Sequence, residues 1–190
     1  MKKLLLLVAM VAASFGAKGQ SNLSFGPKIG LNVSDLTDEG YGPRVGMNVG
    51  IFAQYRFNSS WAVQPEILYS MQGARTTNMD GGPNRTEKID YISVPILAKF
   101  YATHRLSFGI GPQVAFRVKA DNGGGTYGNG VTFKDRTKPV ELAAAVGVAY
   151  DFPIGIVLDA RYTIGVTKAV KTLYTNQHNS VFQFSVGYKF

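Results

Sequence analysis

The sequence contains no cysteine in 190 residues. Disulfides, thiolate metal centres and cysteine nucleophiles are therefore excluded. Histidine is almost as scarce, since His104 and His178 are the only imidazoles. That is too few for a His-rich metal centre, and neither metal nor cofactor is expected. Beyond the N-terminus no apolar run is long enough for a spanning helix. The formal charge is +8, yet lysines and arginines stand singly. The basic patch that nucleic acid binding needs is missing. What abounds is glycine (22), phenylalanine (12) and tyrosine (10), a profile of many short strands joined by turns. The length fits one domain.

The N-terminus reads as an export signal. Met1-Lys2-Lys3 is a positive start, residues 4–15 are apolar, and Ala17-Lys18-Gly19 places small residues before Gln20. The expected division is a cleaved signal peptide at 1–19 and one domain at 20–190. Removing Lys2, Lys3 and Lys18 leaves about +5 for the exported chain. The apolar stretch is too short to anchor it, and without a cysteine there is no lipid attachment.

From Phe25 onward apolar and polar residues alternate, the period of a strand with two unlike faces. The pattern predicts eight strands, at 25–33, 44–57, 61–72, 88–101, 105–119, 140–150, 156–167 and 180–190. The last is the clearest: Phe182, Phe184, Val186, Tyr188 and Phe190 share one face, while Gln183, Ser185, Gly187 and Lys189 share the other. Connections alternate in length. Residues 58–60, 102–104 and 151–155 are tight turns, whereas 34–43, 74–87, 120–138 and 168–179 are long polar loops. This asymmetry is that of an outer-membrane barrel with short periplasmic turns and long external loops, which places both termini in the periplasm.

Alternation alone does not separate such a barrel from a soluble one, whose greasy face points inward. One face carries Lys28, Arg44, Arg56, Glu66, Lys99, Arg117, Glu141, Asp159, Arg161 and Lys189. The other carries almost no charge, with Asp90 the exception. Three features favour the membrane. The chain is exported. Aromatics gather near strand ends (Tyr55, Phe57, Trp61, Phe100, Phe108, Tyr150 and Tyr188), where interfacial girdles form. Glycines cluster on the polar face, as a narrow lumen requires small residues opposite long ones. The expected fold is thus all-β, an eight-stranded antiparallel up-and-down transmembrane β-barrel. Pro27, Pro65, Pro95 and Pro112 fall inside predicted strands, where each removes a ladder hydrogen bond; β-bulges are one way to accommodate them.

Several stretches carry a resemblance: Phe25-Gly26-Pro27-Lys28-Ile29-Gly30-Leu31-Asn32, Gln64-Pro65-Glu66-Ile67-Leu68-Tyr69-Ser70, Ile92-Ser93-Val94-Pro95-Ile96-Leu97-Ala98-Lys99-Phe100, Gly109-Ile110-Gly111-Pro112 and Asp159-Ala160-Arg161-Tyr162. On these the chain resembles the outer-membrane β-barrel family common in Bacteroidota, the PorT-like group labelled "porin family protein". The resemblance covers nearly all of the exported chain and includes most of the strand prolines. It implies a location in outer-membrane lipid and a last strand, ending in Tyr188 and Phe190, read as an assembly signal by the barrel-assembly machinery. It also allows a surface or secretion-assembly partner. Its motifs are structural and name no solute or reaction.

Four functional readings follow. An eight-stranded barrel is just wide enough to be filled by side chains. Lys28, Arg44, Arg56, Glu66, Lys99, Arg117, Glu141, Asp159 and Arg161 would then form a lumenal ionic network inside a structural or loop-displaying barrel. Glu66, Glu141 and Asp159 are its expected hubs. A second reading is a narrow, weakly anion-favouring pore that uses the excess of lumenal cations. A third is a lipid-modifying enzyme built on His104, or on His178 with Ser180; neither has an acid at strand spacing, so no catalytic residue is assigned. A fourth is partner binding through loop aromatics Tyr41, Tyr127, Phe133 and Tyr174.

Overall fold

The computed structural model describes residues 22–36, 41–76, 85–121, 138–167 and 179–190. They form eight strands: β1 Leu23–Leu36, β2 Tyr41–Arg56, β3 Trp61–Thr76, β4 Arg85–Tyr101, β5 Leu106–Asp121, β6 Val140–Asp151, β7 Ile156–Gly165 and β8 Asn179–Tyr188. Each pairs antiparallel with its neighbour in the chain, and β8 returns to β1 to close the barrel. Closure leaves no free sheet edge. The expected export signal at 1–19 lies outside the described residues, as do His178, Tyr127, Phe133 and Tyr174.

The direction of the two faces decides between the barrel types. Ile29, Leu31, Met47, Ile51, Ile67, Ile96, Ile110, Val146, Phe182 and Phe184 are exposed on the outside. Lys28, Glu66, Lys99, Gln113, Arg161 and Gln183 are buried within. A soluble barrel would reverse this arrangement. An apolar exterior around a polar interior is stable only where the surroundings are themselves apolar.

Tight turns at 57–60, 102–105 and 152–155 share one end of the barrel with Asn22 and Phe190; the strand ends at 36, 41, 76, 85, 121, 140, 165 and 179 share the other. At the turn end Asn58 Oδ1 accepts from the backbone N–H of Ser60 (2.9 Å) and Trp61 (2.8 Å). Thr103 Oγ1 accepts from Leu106 N–H (2.9 Å). Gly155 takes a φ of 88°, open to glycine at little cost. Around this end the exposed aromatics meet in pairs: Tyr55 with Phe57 (ring centres 5.1 Å apart), Trp61 with Phe100 (5.2 Å), Tyr150 with Phe152 (4.9 Å) and Tyr188 with Phe190 (4.9 Å). They form one belt in which each amphipathic Tyr or Trp ring packs on a phenylalanine.

Several strands run further toward the loop end than their apolar alternation. β1 reaches Leu36, β2 begins at Tyr41, β3 reaches Thr76 and β4 begins at Arg85. Backbone pairing there outlasts the lipid-facing band, and residues above that band have no reason to alternate. At the turn end β6 extends to Asp151, which reads as a turn residue in the sequence.

Pro27, Pro65, Pro95 and Pro112 are not placed on bulges. Register shifts occur between Pro43 and Asn48 and between Asp90 and Tyr91. Pro65, Pro95 and Pro112 instead lie where one flanking ladder skips a few pairs and resumes in the same register: Pro65 opposite β2, Pro95 opposite β3, Pro112 opposite β4. Pro27 lies just past Lys28, the last β1 residue paired with β8. Each missing N–H therefore faces a gap in only one ladder.

Candidate functional site, the lumen

Inward residues fill the barrel in layers. In the middle, strands from opposite walls converge on Glu66. Arg161 forks onto it, with Nη1 donating to Oε2 (3.0 Å) and Nη2 to Oε1 (2.7 Å), the bidentate geometry that makes such pairs strong. Lys28 Nζ reaches Glu66 Oε1 (3.3 Å) and Asp159 Oδ1 (2.9 Å). Asp159 Oδ1 lies 3.3 Å from Arg161 Nη2. Gln64 Nε2 donates to Glu66 Oε1 (2.6 Å), and Lys99 Nζ donates to Gln64 Oε1 (3.1 Å). Two cations and two carboxylates from β1, β3 and β7 thus cross the bore, and Glu66 is only 2% exposed.

Toward the turn end Tyr101 is buried in the lumen. Its hydroxyl bonds Gln54 Oε1 and Asp151 Oδ2, both at 3.0 Å. Lys189 pairs with Asp151, and the Arg56 guanidinium lies 3.7 Å over the Tyr101 ring. Toward the loop end the network is built of neutral side chains, with the Arg44 guanidinium at its edge. Asn32 Nδ2 donates to Ser70 Oγ (2.9 Å) and accepts through Oδ1 from Asn48 (2.7 Å). Ser185 Oγ donates to Asn48 Oδ1 (3.2 Å), and Gln72 Nε2 donates to Ser70 Oγ (2.8 Å). Arg44 donates to the Gln72 carbonyl.

The expected network residues therefore separate into groups. Lys28, Glu66, Asp159 and Arg161 come together, with Lys99 joined through Gln64. Arg56 stands at the turn end and Arg44 near the loop end. Arg117 faces Tyr91 across the β4–β5 pairing, and Glu141 stands beside Ala115 on β6; both have partners of their own. Asp90 is on the outer phase beside the β4–β5 bulge, where the Tyr69 hydroxyl donates to it (2.9 Å). His104 is exposed in a tight turn. Gln54, Gln64, Tyr101 and Asp151 carry much of the lumen without standing out in sequence. Extending the inward parity of Ala149 and Lys99 by two residues each would have flagged Asp151 and Tyr101.

The inward glycines do more than leave volume. An added Cβ on Gly26 would lie 1.6 Å from the Tyr188 carbonyl, and on Gly111 1.9 Å from that of Ile96. These positions let neighbouring backbones close in on a tightly curved wall. Gly109 is of the other kind: its Cβ would lie 3.7 Å from Lys99 Cγ, so it gives a long side chain room.

An eight-stranded barrel with an aromatic belt, an apolar exterior and an ion-paired interior defines a small outer-membrane β-barrel. The chain belongs to the outer membrane protein β-barrel domain family, whose model matches residues 14–171. Its environment is accordingly the lipid of the outer membrane. Among solved structures it is similar to Ail, the attachment invasion locus protein of Yersinia pestis, in complex with the heparin analogue sucrose octasulfate. That match has 18% identity and a TM-score of 0.54, covering 89% of this chain and 99% of Ail. Neisserial surface protein A is similar at 18% identity and a TM-score of 0.60, covering 87% and 97%. OprG from Pseudomonas aeruginosa matches at 13% identity and a TM-score of 0.50, covering 90% and 98%. At these identities the likeness is one of fold. No curated protein matches the chain.

Proposed function

We propose that the protein is a plugged outer-membrane scaffold, a barrel whose lumen is closed by ion pairs and whose role lies in the loops and partners it presents. The observation that carries this reading is the Lys28–Glu66–Arg161–Asp159 cluster, which joins β1, β3 and β7 across the bore. Side chains so paired move apart only at considerable cost. No reaction is assigned: His104 is exposed in a tight turn. The export segment 1–19, periplasmic termini and tight turns, recognition of the last strand by the barrel-assembly machinery, and a PorT-like place with a surface or secretion-assembly partner all belong to this reading.

Planar-bilayer recording tests it. The wild-type barrel should add no conductance steps above the lipid baseline, and steps in the wild type would overturn the plug. A narrow pore is the second reading, favoured by the surplus of lumenal cations. It predicts steps whose reversal potential under a salt gradient has the sign of anion preference.

A further inference from the structure

At the turn end, three cations surround one aromatic ring and one carboxylate. The Arg56 guanidinium lies 3.7 Å and Lys99 Nζ 5.8 Å from the centre of the Tyr101 ring. Lys189 is taken by Asp151, whose Oδ2 also accepts from the Tyr101 hydroxyl, while its Oδ1 has no partner. Neither of the other two cations makes an ion pair among the described residues. Lys99 is 2% exposed, its one hydrogen bond goes to the neutral Gln64, and among the described residues no carboxylate lies within ion-pair distance of it. Arg56 Nε and Nη2 are cut off from solvent without an acceptor. Those two atoms form the edge of a guanidinium that forks onto an oxyanion. A buried cation without an anion is costly.

The register sets them side by side on the wall. Arg56 pairs with Ala62 and Ala62 with Lys99, so a single methyl separates the two cations along the wall. Beyond Lys99 the same row continues with Gly109 and Gly147. We propose that this turn-end vestibule binds one small oxyanion of the phosphate or carboxylate class, held between the Nε–Nη2 edge of Arg56 and the Lys99 ammonium. The two parallel donors of that edge favour an oxyanion over a halide. Asp151 is the repelling group in the vestibule, and Lys189 offsets it. The site adjoins the central plug through Gln64, and its occupancy does not depend on whether the bore conducts.

The test uses inorganic phosphate on the folded barrel in lipid, with chloride at matched ionic strength as the control. Binding to the folded state alone raises the unfolding midpoint with saturation. The midpoint should rise saturably with phosphate and not with chloride. Lys99→Met and Arg56→Met should each abolish the rise, and Arg56→Lys, which keeps the charge but not the fork, should weaken it. Lys119→Met, an exposed lysine on β5, should keep it in full. The response to phosphate is read within each variant, so a change in basal stability does not confound it. Should the Met variants fail to fold, arsenate soaked into wild-type crystals should give an anomalous peak beside Arg56 and Lys99. Equal responses to phosphate and chloride, full responses in both Met variants, or no arsenate peak there would each overturn the proposal.

Discussion

Glu66 is bonded to Arg161, Lys28 and Gln64, which makes it the side chain on which the central plug depends. Neutralising it leaves two buried cations facing Asp159 alone. Removing one partner of a buried ion pair costs about 3–5 kcal/mol, because the other charge stays behind unpaired. Glu66→Gln should therefore lower unfolding stability in lipid by about 3 kcal/mol or more, measured as a shift in denaturant midpoint; an unchanged midpoint would show that Asp159 suffices. That Glu66, Lys28 and Arg161 face inward follows from alternation along each strand. That they meet does not, since Lys28 and Asp159 are joined only when β8 closes onto β1, and closure depends on stagger around the whole barrel. Asp151 was hidden for a different reason: the run Asp151-Phe152-Pro153-Ile154-Gly155 has turn chemistry from its first residue, and one further pair of β6 is decided by tertiary pairing.

Among the elements, the strands were legible because lipid and lumen impose opposite chemistry on successive residues. Their loop-side ends were not, since pairing continues where neither environment applies. The bulge at Asp90 and Tyr91 interrupts the parity that a reader of alternation relies on. The seam between β1 and β8 yields two contrasts. Gly26→Ala would drive a Cβ into the Tyr188 carbonyl, whereas Gly109→Ala would meet only Lys99 and Leu97 at ordinary distance. On an unboiled gel, Gly26→Ala should lose most of the folded band and Gly109→Ala should keep it; equal bands would mean the seam relaxes freely. Phe190 follows the end of β8, yet its N–H donates to the Phe25 carbonyl (2.9 Å) and its ring sits 5.8 Å from that of Phe25. Deleting it removes a seam contact together with the proposed assembly signal. Outer-membrane levels of that variant should fall well below those of any single-loop deletion, and normal levels would contradict both roles.

Across the whole molecule, the barrel has two chemically different ends. One gathers aromatic pairs, three tight turns, Asn22 and Phe190. At the other, Lys88 and Lys119 stand exposed on the outer wall, beside Asp121 and Asp90 on the paired strand. Strand direction links the two ends rigidly, so locating one end relative to the cell locates the other. The absence of cysteine makes this measurable without a background. Ser59→Cys marks the turn between β2 and β3, and Lys119→Cys marks the loop end of β5; both sites are exposed and neither is in the lumen. An impermeant thiol reagent applied to intact cells should label the position-119 variant and leave the position-59 variant unlabelled until the outer membrane is permeabilised. The reverse pattern would invert the barrel and put the long loops in the periplasm, where they could not serve a surface partner. Labelling of neither variant before permeabilisation would place the protein in another membrane, against its family.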